Sequence, residues 1–330
     1  MTADRRVRIS GTGSFMPEKV LTNADLVKIV DTTDEWIVTR TGIRERRIVE
    51  GNVATSDLAT EAARRALADA GLAAADLDLI IVATITPDTM LPATACYVQA
   101  NLGAAKAGAF DAVAACSGFV YASNAAWQFI RSGQYDHVLV IGADCLSKIT
   151  NYKDRGSCIL FGDGAGAAVF SPAGDGEGGV LFGQLGSDGT GADMMIIPAG
   201  GSRRPASHET VDKDEHYMVI RGREVYKFAV EKMADVVSES LNALGLKPAD
   251  LRWIIPHQVN FRILEGAAKR LEIPMDDMYV NIDRFGNTSA ASIPIALDEV
   301  NRKGLLKKGD LVALVAFGGG LTWASMILRW

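Results

Sequence analysis

Reactive side chains are scarce in this chain of 330 residues, which carries only four cysteines and four histidines. Cys96, Cys116, Cys145 and Cys158 form no CxxC pair, and none stands at a zinc-ligand spacing from His137, His208, His216 or His257. A structural metal is therefore not expected, and the thiols read as reduced, as in a cytoplasmic protein. Long apolar runs are missing too: none reaches the roughly 18 residues of a membrane span. Met-Thr-Ala-Asp-Arg-Arg runs straight into a strand-like segment without an apolar signal region. Nor is there an excess of positive charge. With 34 Lys and Arg against 40 Asp and Glu, the net charge of −6 gives no global attraction to nucleic acid. An acidic partner would have to meet a local basic patch.

What is present describes a globular protein, 48% hydrophobic and 22% charged, with no obvious linker. A chain this long reads as two similar halves or one large α/β unit. The sequence repeats itself. Residues 71–81, Gly-Leu-Ala-Ala-Ala-Asp-Leu-Asp-Leu-Ile-Ile, align without a gap on residues 245–255, Gly-Leu-Lys-Pro-Ala-Asp-Leu-Arg-Trp-Ile-Ile. Each follows a helical pattern, and Gly71 and Gly245 stand where a helix C-cap is expected. Matching flanks favour duplication over chance. The likeness extends loosely to the segments around Cys116 and Asn287, both of which read as strand, short turn and buried helix.

Leu79-Ile-Ile-Val-Ala-Thr, His137-Val-Leu-Val-Ile-Gly-Ala and Leu311-Val-Ala-Leu-Val-Ala-Phe are near-continuous apolar runs, as in strands buried on both faces. A layered α/β fold with helices covering the sheet follows. Residues 199–216 are polar and without periodicity, which predicts a mobile surface loop, a candidate lid.

Cys116, in Ala-Ala-Cys-Ser-Gly-Phe, falls between a strand-like and a helix-like segment. A thiol at a helix N-terminus is biased towards thiolate. Downstream, Pro-His257-Gln-Val-Asn and Phe-Gly-Asn287-Thr-Ser supply an imidazole and an amide. Together the three read as a covalent acyl-transfer site in which neutral His257 and Asn287 donate to a thioester or enolate oxygen. Taken singly, His257 reads equally as a satisfied strand-end histidine and Asn287 as a helix N-cap. Gly318-Gly319-Gly320 fits an oxyanion hole or a plain tight turn. Trp36, Arg40 and Arg155 fit adenine stacking and phosphate binding, or surface salt bridges. Arg262, Lys269 and Arg270 fall on a helix after His257, as a docking stripe for an acidic carrier or a solvated face. Gly162-Asp-Gly-Ala-Gly-Ala matches GxGxxA but leads into another strand, so no nicotinamide site is expected.

Several segments in this order carry a family resemblance. They include Gly11-Thr-Gly-Ser-Phe-Met-Pro, Asp34-Glu-Trp-Ile-Val-Thr-Arg-Thr-Gly-Ile, Ala115-Cys-Ser-Gly-Phe, Pro256-His-Gln-Val-Asn and Gly318-Gly-Gly-Leu-Thr-Trp. The chain closely resembles, end to end, the β-ketoacyl-[acyl-carrier-protein] synthase III family, which initiates bacterial fatty acid synthesis. The resemblance implies a thiolase-like fold, layered αβαβα, built from two duplicated halves over residues 1–172 and 173–330. It implies that Cys116 accepts the acyl group and that His257 and Asn287 hold the malonyl thioester oxygen. The N–H groups of Cys116 and Gly319 would form the oxyanion hole. Trp36, Arg40 and Arg155 would bind coenzyme A, and Arg262 would help dock the carrier protein. It further implies a homodimer whose partner-facing loop, Thr89-Met-Leu-Pro-Ala-Thr, shapes the acyl pocket through Leu91. The substrates implied are a short acyl-CoA, with acetyl-CoA the expected primer, and malonyl-carrier protein, with no metal or redox cofactor. A secondary-metabolite condensing enzyme of the same fold, taking longer or aromatic acyl donors, is the alternative.

Overall fold

The computed structural model describes residues 5–330. The apolar runs form the strands expected of them, Leu79–Ala83, Val138–Asp144 and Leu311–Gly318, each buried along its whole length. Two sheets result. In the first the order is Val7–Phe15, Gly164–Pro172, Val138–Asp144, Leu79–Ala83 and Gly108–Ala112. In the second it is Gly179–Ser187, Thr322–Arg329, Leu311–Gly318 and Trp253–Pro256. From the first-named edge, pairing runs antiparallel, antiparallel, then parallel in both sheets. A parallel bridge from Ile254 to Met278 stands where the fifth strand of the first sheet has its counterpart. The duplication read from the sequence is thus repeated in the topology.

The repeated segment also folds alike in both places. Helices Thr55–Ala70 and Gly222–Ala243 each lead to a glycine in the left-handed region, Gly71 at φ 67° and Gly245 at φ 68°. The turn that follows is closed by the same bond twice. Ala73 N–H donates to Asp76 Oδ2 at 2.9 Å, and Lys247 N–H to Asp250 Oδ2 at 2.7 Å. Thr55–Ala70 and Thr94–Leu102 cover the outer face of the first sheet, and Gly222–Ala243 covers that of the second with Phe261–Leu271 packed beside it.

Helices Gly118–Arg131 and Ser292–Arg302 lie between the sheets and touch both. Ser292–Arg302 is buried over nearly its whole circumference, as a helix packed on two sides must be. Its one buried carboxylate, Asp298, accepts from Thr12 Oγ1 at 2.8 Å, Ser14 Oγ at 2.6 Å and Arg302 Nε at 2.9 Å. The start of this helix comes to backbone contact with the first sheet. A Cβ on Gly142 would stand 2.2 Å from Ala290 O, so the strand must carry glycine there.

Gly142→Ala is therefore expected to destabilise the fold by about 1–3 kcal/mol through overpacking. Urea unfolding of the variant beside the natural protein reads that loss. An unchanged midpoint would mean that the helix start is free to move off the sheet.

Candidate active site

Two matching turns meet between the sheets. Ala115–Ser117 opens into helix Gly118–Arg131, and Ser289–Ala291 opens into Ser292–Arg302. Each begins on a non-glycine residue in the left-handed region, Ala115 at φ 46° and Ser289 at φ 51°. In this register Cys116 corresponds to Ala290. Asn287 lies three residues before Ala290, so within the two like segments it stands out of register with Cys116. The turns touch: a Cβ on Gly118 would lie 3.6 Å from Ala290 Cβ.

The nucleophile turn is held by the second sheet. A Cβ on Gly318 would come within 2.7 Å of Cys116 N, so the strand end closes directly on the turn. Thr322 Oγ1 donates to Ala114 O at 3.1 Å and lies 3.2 Å from Ser117 Oγ. Cys116 itself is buried, and burial pushes its thiol up to about 12, against the pull of the Ser289 hydroxyl and with Asp144 adding to the rise. Burial therefore opposes the thiolate bias expected from the helix N-terminus. A helix end is worth a fraction of what desolvation costs a charge that water cannot reach.

His257 leaves strand Trp253–Pro256 with its N–H on Val315 O at 2.8 Å and is fully buried. Its Nδ1 lies 2.7 Å from Ser292 Oγ, which accepts the Gln258 N–H at 3.3 Å. A Ser292 hydroxyl that donates to Nδ1 leaves the ring proton on Nε2. Nε2 has no hydrogen-bond partner, and burial pushes the imidazole down to about 3, so the ring is neutral.

Asn287 pairs with strand-like backbone, its N–H on Leu160 O at 2.8 Å and its carbonyl accepting from Gly162 at 3.0 Å. Its Oδ1 accepts the Ser289 N–H at 2.8 Å. The bond folds the side chain over the turn from one residue outside it, since Thr288 holds the N-cap position, so the N-cap reading of Asn287 is not met.

Cys116, Ser289 and Gly319 line a cavity of about 380 Å³ whose other walls are mostly apolar, with Ile85, Leu146 and Met218 among them. Asn287 lines a neighbouring cleft of about 470 Å³, and Phe161 and Met195 border both. His257 lines neither and joins the site through Ser292 and through Phe317, whose ring meets its own edge-on at 5.9 Å.

Trp36 and Arg40 line the outer cleft. The Arg40 and Arg155 guanidiniums each lie 4.8 Å from the Trp36 ring centre, and among the described residues neither is in an ion pair. Arg262 lines the cleft wall from the first turn of Phe261–Leu271. Lys269 and Arg270 are exposed in its last turn, and Arg270 is engaged by Asp235 at 3.1 Å. Leu91 does not line this chain's own cavity; it is 85% exposed, as is Met90 beside it.

The segment 199–216 differs from the loop expected of it. It holds a short helix, His208–Asp212, capped by Ser207, and is tied to itself by the Arg204–Glu215 ion pair and by His216 Nε2 at 2.9 Å from Thr210 Oγ1. Arg204 and Lys213 pair with Glu209 and Glu215 inside it and Asp214 pairs with Lys153 outside it, which a polar run does not reveal. Gly164–Pro172 is a strand, as read, and Asp163 before it accepts from Val49 N at 2.7 Å and Ser147 N at 2.8 Å. Sequence reasoning missed Arg223 in the cleft wall, where Asn260 also stands, and Asp144 and Ser289 beside the thiol. Among the described residues no group of three or more His, Cys, Asp or Glu is arranged to hold a metal ion, and no helix is long and apolar enough to cross a membrane.

Two duplicated α/β halves with a buried cysteine at the start of the helix between them define a condensing enzyme of the thiolase-like fold. Residues 110–189 match the family model for 3-oxoacyl-[acyl-carrier-protein] synthase III, and residues 241–330 the model for its C-terminal part. A β-ketoacyl-[acyl-carrier-protein] synthase III of Caldanaerobacter subterraneus subsp. tengcongensis is 59% identical over 322 residues, 98% of this chain and 97% of the relative. The crystal structure of the 3-oxoacyl-[acyl-carrier-protein] synthase III of Aquifex aeolicus VF5 is 46% identical, with a TM-score of 0.91 over 98% of this chain and 100% of that one. The priming β-ketosynthase of the R1128 polyketide biosynthetic pathway is also similar, at 35% identity and TM-score 0.91 over 100% of this chain and 98% of that one. The chain belongs to the β-ketoacyl-[acyl-carrier-protein] synthase III family. The higher identities favour the initiating synthase over the secondary-metabolite alternative.

The neutral imidazole has a consequence for stability. Because folding depresses the His257 pKa to about 3, the unfolded chain binds a proton there that the folded one does not. Stability from this group falls as pH drops from its unfolded value near 6.5 towards 3, by an amount on the order of a few kcal/mol. His257→Gln is expected to flatten that part of the profile in urea unfolding at about pH 7 and about pH 4.5. Equal slopes in both proteins would mean that the ring charges in the folded state.

Proposed function

We propose that the chain carries out the decarboxylating Claisen condensation of a short acyl-CoA with malonyl-[acyl-carrier protein]. The products are 3-oxoacyl-[acyl-carrier protein], coenzyme A and CO₂, and the step initiates fatty acid biosynthesis. The observation that carries the reading is a fully buried, neutral His257 with an unpartnered Nε2, in the same seam as Asn287 and the Cys116 thiol. Such a donor pair can hold an oxygen on which negative charge develops without itself carrying charge.

The steps follow. Acyl-CoA transfers its acyl group to Cys116 Sγ, with the N–H groups of Cys116 and Gly319 holding the tetrahedral oxyanion, and coenzyme A leaves. Malonyl-carrier protein then enters and its thioester oxygen is held by His257 Nε2–H and Asn287 Nδ2. Loss of CO₂ leaves a carbanion equivalent that attacks the acyl-Cys116 carbonyl and expels the thiolate. The steps call on no resident metal or redox cofactor. Before acylation the coenzyme A adenine stacks at Trp36 with Arg40 and Arg155, and the carrier protein docks on Arg262 and Lys269. Arg270 contributes only if it leaves Asp235.

The working form is a homodimer in the cytoplasm. Strand Gly108–Ala112 is an open sheet edge, and Phe110, Val113, Met90 and Leu91 are exposed near it or on the neighbouring loop. A second copy pairing there would bring its Leu91 to the cavity as part of the acyl pocket. The division into halves at residues 172 and 173 follows the gap between strands Gly164–Pro172 and Gly179–Ser187.

The two half-reactions separate the roles. His257→Ala and Asn287→Ala are expected to keep acylation, read as coenzyme A release, while CO₂ release from labelled malonyl-carrier protein falls by roughly 10²-fold or more. Equal loss of both half-reactions would contradict this division of labour.

A further inference from the structure

Arg46 is among the largest fully buried side chains of the protein, and no step of the reaction uses it. Burial pulls its pKa down to about 10, so the guanidinium is still charged at neutral pH. Its hydrogen bonds go to neutral oxygens. Nη1 donates to Leu21 O at 3.2 Å and to Asn23 Oδ1 at 2.9 Å, and Nη2 donates to Ile159 O at 2.7 Å. A charge buried among neutral acceptors adds little to stability that an apolar side chain of like volume would not. Its place in the fold gives it a different use.

Strand Glu45–Arg47 is tied to both segments that meet at Asn287. Arg44 N–H, just before the strand, donates to Asp283 O at 2.9 Å, and Arg47 O accepts the Asp163 N–H at 2.8 Å. Arg46 stands between these ties. A Cβ on Gly162 would lie 3.0 Å from Arg46 Cβ, and one on Gly286 3.2 Å from it, so both glycines rest on the same side chain. The two glycines also frame the bridge itself. Gly162 N–H donates to Asn287 O, and Gly286 precedes Asn287 with its φ at 65°. At the far end of the side chain, Nη2 holds Ile159 O, one residue before Leu160, whose carbonyl accepts the Asn287 N–H. Nη1 is anchored outside the site, because Asn23 is buried and its Nδ2 donates to Ile43 O and to Asp34 Oδ1, at 2.8 Å each. The planar fork thus ties residues 159–162 to a fixed point, which a single point charge could not do.

We propose that Arg46 is a positioning residue for Asn287. It fixes the 159–162 backbone and the Gly162–Gly286 contact, and these set where Asn287 presents Nδ2 to the malonyl thioester oxygen. Arg46 acts through the backbone and not on a reacting atom. The nucleophile turn is held by other residues, Gly318 against Cys116 N and Thr322 Oγ1 on Ala114 O, so acylation of Cys116 does not call on Arg46. The inference rests on the acyl-transfer reading above, in which Asn287 serves the decarboxylating step alone.

The test uses Arg46→Met, which keeps an unbranched stem without the fork, and Arg46→Lys, which keeps the charge but cannot hold Asn23 and Ile159 with separate nitrogens. Thermal unfolding establishes that each variant is folded. In Arg46→Met, CO₂ release from labelled malonyl-carrier protein is expected to fall by roughly 10- to 10²-fold, as when a reacting group is misplaced by about 1 Å. Acylation of Cys116 at saturating acetyl-CoA is expected to change little. Arg46→Lys is expected to show the same split, smaller, and serves alone if Arg46→Met does not fold. In an Asn287→Ala background either substitution is expected to lower CO₂ release little further, because the two residues act as one unit. The Asn287 side-chain amide is followed directly by NMR of asparagine-labelled protein, its signal assigned by its loss in Asn287→Ala. That signal is expected to shift in both Arg46 variants. An unmoved signal, equal loss in both half-reactions, or full additivity with Asn287→Ala would each overturn the proposal. If the signal shifts but the natural protein neither takes an acetyl group nor releases CO₂, the positioning role stands and the acyl-transfer reading fails.

Discussion

Exclusion of water from the seam between the two sheets sets the chemistry of this protein. It holds the Cys116 thiol protonated and the His257 ring neutral, each the opposite of the charged form that a solvated cysteine–histidine pair would favour. An imidazole whose pKa burial depresses this far is a poor base, yet its ring N–H still donates. In that state it suits an enolate oxygen and leaves the decarboxylation to the leaving CO₂, with no strong base required. The same dryness makes an unpaired polar atom costly, and His257 Nε2 is one of the buried atoms left without a partner.

Duplication supplies the geometry. One α/β unit used twice places two left-handed turns and two buried helices face to face, and the copies then diverge in what they present. The first copy offers a thiol at the second residue of its turn. The second has alanine there, and offers a hydroxyl one residue earlier and an amide two residues before that. Close approach is secured by glycine where backbone meets backbone: at Gly142 under Ala290, and at Gly318 against Cys116.

Much of this was legible in the sequence because it is local. The repeat at residues 71–81 and 245–255 encodes a helix stop, an aspartate-closed turn and a strand, and each half reads the same way alone. Cys116, His257 and Asn287 could be singled out because each interrupts an apolar pattern with a group suited to acyl transfer. What the sequence hid is tertiary. Asp144 ends an apolar strand and looks like an exit to solvent, yet Thr84 and Thr86, some 60 residues away, bury and satisfy one of its oxygens. Ser289 looks like part of a helix cap until the facing turn is known. The opposing pull on the Cys116 thiol was hidden for the same reason, since the helix end is visible in the sequence and the covering sheet is not. The segment 199–216 looks unstructured because its Arg204–Glu215 pairing has no periodic signature.

Covalent carriage of the acyl group on Cys116 is the central claim. The most direct measurement is intact-mass spectrometry after mixing the protein with a series of acyl-CoAs from acetyl to decanoyl, with Cys116→Ala alongside. The account predicts one acyl adduct per chain, strongest with short donors and lost in the variant. No adduct with any donor, or an adduct that survives in Cys116→Ala, would contradict it.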